Sequence, residues 1–154
     1  MPYEVSIYTD GAASGNPGPG GYGVILIWGN HRKELSSGFA LTTNNRMELK
    51  AVIEGLKALK FEGSRVTIYS DSKYVVEAVN QSWLFEWEKK AFRKKKNGDL
   101  WIEFLKEYRK HTVKFIWIKG HADNLENERC DVLATEASRL PNLPPDTGYL
   151  KTGI

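Results

Sequence analysis

Apolar and polar residues alternate in three segments of the first third of the chain. The segments run from Glu4 to Thr9, from Tyr22 to Trp28 and from Lys33 to Leu41, and a short turn at Gly29-Asn30 separates the last two. Alternation over segments of this length is typical of half-buried β-strands, because successive side chains of a strand point to opposite faces. The pattern predicts three strands that pair as an antiparallel meander.

The apolar period changes to that of a helix at Thr43. Apolar residues then recur at spacings of three and four over 43–60, which places them on one helix face: Leu49, Val52, Ile53, Leu56 and Leu59. A fourth strand is predicted from Arg65 to Ser70, where alternation returns.

Helical patterns and one further strand account for most of the remaining chain. Helices are predicted over 72–80, around Trp83 and Trp87, over 99–110 after a break at Asn97-Gly98, and over 125–138, with a fifth strand over 112–119. This order of elements predicts an α/β domain in which helices pack on a mixed sheet. Three prolines, Pro141, Pro144 and Pro145, interrupt the end of the chain, so 142–154 is predicted to be a non-helical, flexible tail.

Length and composition fit a single domain over 1–154, because a chain of 154 residues can bury about 70% of the surface that it exposes when unfolded. No apolar run approaches the roughly 18 residues of a membrane span. The amino terminus also lacks a signal-peptide pattern. A single cysteine, Cys130, excludes an internal disulfide and fits a reducing compartment. We therefore expect a soluble, cytoplasmic, monomeric protein with no membrane partner.

Positive charge is concentrated in one short stretch. Six of the 22 Lys and Arg residues fall between Lys89 and Lys96, so the remaining 16 are outnumbered by the 19 acidic residues. Such a run is more often a solvated helix face, but it is also a means by which proteins hold the phosphates of a nucleic acid. Charge alone leaves both interpretations open.

Two nearly identical pentapeptides end in aspartate. Ser6-Ile7-Tyr8-Thr9-Asp10 and Thr67-Ile68-Tyr69-Ser70-Asp71 each close a predicted strand. If these strands lie side by side and parallel, as a helical crossover between them requires, Asp10 and Asp71 emerge at one edge of the sheet on the same face. The alternative is that each aspartate only starts a turn or caps the next element.

Two further acidic residues lie beside apolar helix faces. Glu48 is near the start of the first helix, and its spacing from Asn45 also fits a capping box. Asp131 follows Cys130 at the edge of the last helix's buried face, where its charge could instead compensate the helix dipole. Four carboxylates converging at one sheet edge would repel strongly unless cations occupied the site.

Four segments, in order along the chain, carry recognisable motifs. They are Asp10-Gly11 with Gly15-Asn16-Pro17-Gly18-Pro19-Gly20-Gly21-Tyr22-Gly23, then Thr42-Thr43-Asn44-Asn45-Arg46-Met47-Glu48-Leu49, then Asp71-Ser72-Lys73-Tyr74-Val75, and last Gly120-His121-Ala122 with Glu126-Asn127-Glu128-Arg129-Cys130-Asp131. These segments resemble the signatures of type 1 ribonuclease H, the bacterial ribonuclease HI family. The resemblance extends from about Tyr3 to Tyr149, nearly the whole chain.

The resemblance implies a fold, an activity and a cofactor. The ribonuclease H-like fold has a five-stranded mixed sheet, three antiparallel strands followed by two parallel ones, with helices on both faces. The activity is endonucleolytic hydrolysis of the RNA strand of RNA–DNA hybrids, leaving 3′-hydroxyl and 5′-phosphate ends. Asp10, Glu48, Asp71 and Asp131 would bind two Mg²⁺ ions, or Mn²⁺ in their place, for which oxygen ligands are suited. His121 matches a loop histidine that assists the attacking water or product departure.

The resemblance also assigns contacts with the hybrid. Selectivity for RNA requires groups that recognise the 2′-hydroxyl in the minor groove, and this task falls to Gly11, Asn16, Asn44 and Asn45, with Thr43 and Ser72 as phosphate contacts. Glycines between Gly15 and Gly23 would let the backbone approach the nucleic acid closely, although an ordinary loop also explains them.

The basic run is interpreted as an arm that reaches the phosphates of the DNA strand. Its candidate contacts are Lys89, Lys90, Lys94, Lys95 and Lys96, on a helix that Trp83 and Trp87 would anchor. The sequence departs from the family here: the arm is shorter, Ala91-Phe92 stands where a Gly-Trp pair is common, and Lys73 stands where many relatives have glutamine. The geometry of the arm therefore does not follow from the resemblance.

Two other functions are compatible with parts of this pattern. A transposase or integrase core shares the fold and the acidic cluster but normally lacks the paired asparagines and the glycine loop. An inactive hybrid-binding module would need a defect that four intact carboxylates do not indicate.

Overall fold

A five-stranded sheet forms the centre of the computed structural model, which describes residues 4–120 and 124–152. Its strands are β1 (Glu4–Ala13), β2 (Gly18–Trp28), β3 (His31–Thr42), β4 (Arg65–Ser70) and β5 (Thr112–Trp117), in the spatial order β3-β2-β1-β4-β5. β1, β2 and β3 pair antiparallel, whereas β4 is parallel to both β1 and β5. The predicted mixed sheet is confirmed.

Helices cover both faces of this sheet, also as predicted. They are α1 (Asn44–Lys57), α2 (Lys73–Asn80), α3 (Trp83–Lys89), α4 (Gly98–Tyr108), α5 (Leu125–Ser138) and α6 (Thr147–Thr152). The main core includes Ile7, Ile53, Ile68, Trp101 and Phe104. A smaller cluster on the face covered by α5 contains Ile25, Cys130 and Leu133. Burial of these faces supplies the main stabilisation.

Two glycines of β2 bring α5 close to the sheet. A Cβ atom at Gly23 would lie 2.5 Å from the carbonyl oxygen of Cys130, and one at Gly21 would lie 2.5 Å from that of Ala134. Neither distance is compatible with a side chain, so both positions require glycine. For the glycines of this segment, the sequence left open a close approach of nucleic acid or an ordinary loop. At Gly21 and Gly23 the structure shows a further role, which is to set the position of α5.

The two tryptophans of α3 differ in their contacts. Trp87 packs edge-on against the buried Trp101, with 5.8 Å between ring centroids, whereas Trp83 is 47% exposed. The prediction that both anchor the helix is wrong for Trp83, because the fully buried neighbour Leu84 occupies the inward position.

The end of the chain also differs from expectation. The helix α6 follows the prolines, so the prediction of a non-helical tail is wrong for Thr147–Thr152. The preceding segment is attached to the body: the backbone N–H of Ala40 donates to the carbonyl of Pro144 (2.9 Å), and buried Asp146 accepts hydrogen bonds from Arg46 and Thr42. These contacts contradict a flexible tail at 144–146, because a buried carboxylate paired with arginine is strongly held. The extent of the domain over 1–154 stays a prediction.

Among the described residues, no helix combines the length and the apolar character that crossing a membrane requires.

Candidate active site

Asp10 and Asp71 meet because β1 and β4 pair in parallel. Tyr8 pairs with Tyr69 in this register, and their rings stack with centroids 4.6 Å apart. Two residues further along each chain, on the same face, come the two aspartates. Their predicted convergence is confirmed. The helix cap after β4 is Ser72, whose hydroxyl accepts from the N–H of Val75 (3.2 Å), so Asp71 does not cap α2.

Glu48 approaches Asp10 and Asp71 from α1. The hydroxyl of Thr43 accepts from the N–H of Arg46 (3.2 Å) and caps this helix. Asn45 therefore lies within the first turn, and the capping box that it could have formed with Glu48 is absent. Gly11 lets the start of α1 approach β1, because a side chain there would meet the backbone of Met47 and Glu48. This close approach brings the glutamate to the end of β1.

The carboxylates of Asp10, Glu48 and Asp71 form a compact cluster. One oxygen atom from each lies within 4.8 Å of the others. Asp131 borders the same cavity, which has a volume of about 390 Å³. It lies beyond the first turn of α5, where Glu126 and Glu128 are the acidic residues, so compensation of the helix dipole does not explain it.

Burial and repulsion from neighbouring carboxylates raise the pKa values of two members of this cluster, Asp10 and Glu48. Burial, followed by the charge of Asp71, raises the pKa of Asp10 to about 8, although the N–H of Gly11 donates to its Oδ1 (2.9 Å). Burial, followed by the charges of Asp10 and Asp71, raises the pKa of Glu48 well above its ordinary value. Both shifts arise because a charged carboxylate is disfavoured away from water and next to like charge.

This cluster fits a hard divalent cation. Its donors are carboxylate oxygens, the ligands that Mg²⁺ and Mn²⁺ prefer. Within 4–120 and 124–152, the buried Oε1 of Glu48 has no hydrogen-bond partner. A cation would satisfy that oxygen and relieve the repulsion that raises the two pKa values.

The chain after β5 closes against Asp71. A Cβ atom at Gly120 would lie 2.8 Å from Oδ2 of Asp71, and the indole N–H of Trp117 donates to the backbone oxygen of the same aspartate (3.1 Å). The ammonium of Lys73 lies 5.1 Å from the centre of the Trp117 ring. His121, the predicted catalytic histidine, lies outside the described residues.

Polar side chains tie the loop between β1 and β2 to the start of α1. The side-chain oxygen of Asn16 accepts from the N–H of Asn44 (3.0 Å), and that of Asn44 accepts from the N–H of Ala13 (2.5 Å). The amide nitrogens of these side chains remain donors. Gly11, Asn44, Asn45 and Ser72 border the carboxylate cavity, so these predicted contacts lie beside the cluster.

A second cavity, of about 640 Å³, separates this loop from the basic arm. Asn16, Thr43 and Asn45 line one side, and Lys95 and Lys96 line the other. We call this cavity the arm groove.

Lys95 lies over the ring of Trp87, 4.9 Å from its centre, which fixes part of the arm. Lys89 is instead paired with Glu86 (3.4 Å) at the end of α3. Lys90 and Lys94 do not border the groove as the described residues define it.

Two groove residues escaped the sequence analysis. Asn97, interpreted only as a helix break, lines the groove and donates to the hydroxyl of Tyr74 (2.9 Å). Tyr149 lines it from α6, in the segment interpreted as a tail. Neither residue carried a signal of its own, because both reach the groove through tertiary packing alone.

Comparisons with known proteins agree with this geometry. The family model for RNase H matches residues 2–139. A ribonuclease H of Syntrophus aciditrophicus is 54% identical over 151 residues, which cover 95% of this chain and 87% of that protein. A ribonuclease H of Rippkaea orientalis is 51% identical and covers 99% of this chain, with 96% of that protein matched.

Solved structures extend the agreement to the fold. The type 1 enzyme LC9-RNase H1, which has the type 2 active-site motif, superposes with a TM-score of 0.81 at 30% identity over 90% of this chain and 73% of its own. LC11-RNase H1 in complex with an RNA/DNA hybrid superposes with a TM-score of 0.65 at 28% identity over 86% of this chain and 95% of its own.

Proposed function

The chain belongs to the ribonuclease H family, and from that membership we propose which of its residues carry out the reaction. The enzyme hydrolyses the RNA strand of RNA–DNA hybrids as an endonuclease and leaves 3′-hydroxyl and 5′-phosphate ends. The observation that supports the residue assignment is the cluster of Asp10, Glu48 and Asp71, whose oxygens lie within 4.8 Å of one another.

Asp10, Glu48, Asp71 and Asp131 hold the metal, and we propose that two Mg²⁺ ions bind, with Mn²⁺ as a substitute. Such a pair, when bound, polarises the attacking water and neutralises the leaving oxygen. The protein contributes an arrangement set by its fold: β1 and β4 present the aspartates side by side, α1 presents Glu48, and α5 presents Asp131. His121 assists the attacking water or the departure of product.

The protein holds the hybrid from both sides of the carboxylates. Gly11, Asn16, Asn44 and Asn45 recognise the minor groove, where the 2′-hydroxyls lie, and Thr43 and Ser72 contact phosphates. Lys89, Lys90, Lys94, Lys95 and Lys96 contact the DNA strand. Base pairing occupies the Watson–Crick edges in a hybrid, so phosphate and sugar contacts supply most of the affinity. The monomeric state and the cytoplasmic location stay predictions.

The direct test is cleavage of end-labelled duplexes with Mg²⁺. We expect cuts in the RNA strand of RNA–DNA and none in DNA–DNA or RNA–RNA of the same sequence. Strand joining between DNA molecules would favour a transposase-like core, and binding without cleavage would favour an inactive module. Either outcome contradicts the proposal.

A matched pair of variants on one helix tests the residue assignment. Glu48→Gln removes a carboxylate of the cluster, whereas Glu54→Gln removes one that lies near Lys50 (3.4 Å) and Lys57 (3.7 Å) on the same helix. We expect Glu48→Gln to abolish most cleavage and Glu54→Gln to retain it. Equal activity of the two variants would contradict a metal-binding role for Glu48.

A further inference from the structure

The end of the chain forms a wall of the arm groove. Asn16 and Thr43 line this groove on one side, Lys95 and Asn97 line it on the arm side, and its other lining residues include Asp99, Ile102 and Tyr149. Four of these residues are donors or cations of the kind that contact phosphate and sugar. Tyr149 therefore faces a space whose chemistry is that of a nucleic-acid backbone.

A buried arginine holds the wall in place. Arg46 is 1% exposed. Its Nε donates to Oδ2 of Asp146 (2.8 Å), and Nη1 and Nη2 donate to the two carboxylate oxygens of Asp99 (2.9 and 2.8 Å). Thr42 adds a hydrogen bond to Asp146 (2.7 Å). Bidentate pairing of this kind fixes direction as well as distance.

Two neighbours of Tyr149 position the helix that carries it. Asp146 caps the last helix by accepting from the N–H of Tyr149 (3.3 Å) while it binds Arg46. Gly148 lies against the pair of Arg46 and Asp99, where a Cβ atom would collide with both side chains. The chain thus packs directly on the ion pair. This packing sets the position of α6, which carries Tyr149, at the base of the basic arm.

We propose that Tyr149 is a substrate-contacting residue whose hydroxyl donates a hydrogen bond to a backbone phosphate of the strand in the arm groove. This inference rests on the proposed function, because it takes the RNA–DNA hybrid as the occupant. The bases of a duplex are stacked on one another, so a tyrosine on the wall of a groove meets phosphate and sugar rather than a base face. Tyrosine is among the residues that contact DNA phosphates.

The contact adds affinity without adding charge. A lysine that binds a phosphate releases a counterion, so its loss flattens the salt dependence of binding, with a change in log–log slope of about 0.7 to 0.9. A neutral hydroxyl releases none. Loss of Tyr149 therefore weakens binding by the same factor at every salt concentration.

The experiment compares Tyr149→Phe and Tyr149→Ala with Leu150→Ala, a control at the next position, whose side chain is 51% exposed and does not line the groove. The readouts are kcat and KM for cleavage of a hybrid, with KM measured across a range of salt. We expect both Tyr149 variants to raise KM about ten- to hundredfold, as for loss of one hydrogen bond to a charged group, with kcat within about twofold of the wild type. Leu150→Ala should match the wild type.

The possible outcomes separate three explanations. Wild-type KM in Tyr149→Phe would overturn the hydroxyl contact. A raised KM with a flattened salt slope would also overturn it, because the tyrosine would then act by supporting the basic arm. If the wild type does not cleave the hybrid at all, the proposed function is wrong, and the inference about Tyr149 is wrong with it. This outcome differs from a failure of the inference alone, in which the wild type cleaves the hybrid and Tyr149→Phe has the same KM.

Discussion

Asp10 lies beside Asp71 because the parallel pairing of β1 with β4 ends at Tyr8 and Tyr69, two residues before each aspartate. The stacked tyrosine rings, 4.6 Å between centroids, hold the strands in that register on the face that carries the aspartates. A slip by one residue would turn one aspartate to the opposite face of the sheet. The geometry of the site is thus a consequence of strand pairing.

Asp71→Asn should reduce cleavage by orders of magnitude and leave the fold intact. The substitution preserves shape and removes one of the charges that we propose hold the metal. Cleavage kinetics and circular dichroism check the two parts of this prediction. His121→Ala, in contrast, should slow turnover far less. Substantial activity in a folded Asp71→Asn protein would contradict the metal assignment.

Neutralising Lys94, Lys95 and Lys96 together should raise KM and flatten the salt dependence of hybrid binding. If all three contact phosphates, the slope of log binding constant against log salt concentration should become shallower by about 2 to 3. Each phosphate contact contributes about 0.7 to 0.9 to this slope. The measurement is the equilibrium binding of a hybrid to the Asp10→Asn protein at several salt concentrations.

A control for net charge is available at the other end of the sheet. Lys33 and Lys60 border a separate cavity that includes Glu4, at the start of β1. Neutralising both should leave the slope nearly unchanged, because they lie away from the carboxylates at the end of that strand. If the arm variant and this control have the same slope, the basic run is only a solvated surface.

Local sequence patterns predicted the sheet and the carboxylates because these depend on short-range rules. Alternation marks a strand, and two strands joined by a helical crossover place matching positions at one edge. Asp10 and Asp71 therefore follow from the ends of two predicted strands, and Glu48 follows from the start of the first predicted helix. Asp131 depends in addition on Gly21 and Gly23, whose role in the packing of α5 has no local signature.

The contacts that the sequence did not predict are tertiary. Three prolines indicated a tail without structure, but the ion pair between Arg46 and Asp146 attaches this segment to α1 across 100 residues of sequence. Trp83 and Trp87 share a spacing that suggests equal burial, yet Leu84 occupies the inward position. In the first case the deciding partner is Arg46, and in the second it is Trp101, against which Trp87 packs. Both partners are distant in sequence, and single-residue patterns contain no information about them.

Asp146→Asn should destabilise the protein by about 2 kcal/mol at neutral pH, because it leaves the buried Arg46 with one anionic partner fewer. Burial alone would raise the pKa of Asp146, but hydrogen bonds from Arg46 and Thr42 outweigh it and lower the pKa. A carboxyl whose pKa is lowered by folding stabilises the protein above its unfolded pKa and loses that effect as the pH falls.

The difference in the free energy of unfolding between wild type and Asp146→Asn should therefore be largest near about pH 7 and should shrink below about pH 4. Urea unfolding at several pH values measures it. Glu4→Gln is the control, since Glu4 is exposed and its ion pair is with exposed Arg65, at 3.7 Å; it should have little effect at any pH. A difference that stays constant down to low pH would show that the loss comes from packing rather than from the ion pair.

Asp10→Asn should stabilise the metal-free protein, because the cluster carries like charges in a buried place. Burial and the charge of Asp71 raise the pKa of Asp10 from 3.8 to about 8. Asparagine retains an oxygen that can accept from Gly11 and removes the charge. Since Glu48 can take up a proton in place of Asp10, the substitution relieves only part of the repulsion, and we expect a gain of about 1 to 3 kcal/mol near about pH 7 in chelator.

The pH dependence of this gain has a definite sign. A carboxyl with a folded pKa above its unfolded pKa binds more protons in the folded state, so the wild type loses stability as the pH rises from about 4 to about 8. The gain in stability from Asp10→Asn should be absent near about pH 4 and largest near about pH 8. If Mg²⁺ binds the folded wild-type site, as proposed, it should narrow the difference in stability between the two proteins by mass action. Thermal unfolding of both proteins, with chelator and with Mg²⁺ across this pH range, provides the test. A variant less stable than wild type in chelator at neutral pH would mean that hydrogen bonds of the Asp10 carboxylate outweigh the repulsion within the cluster.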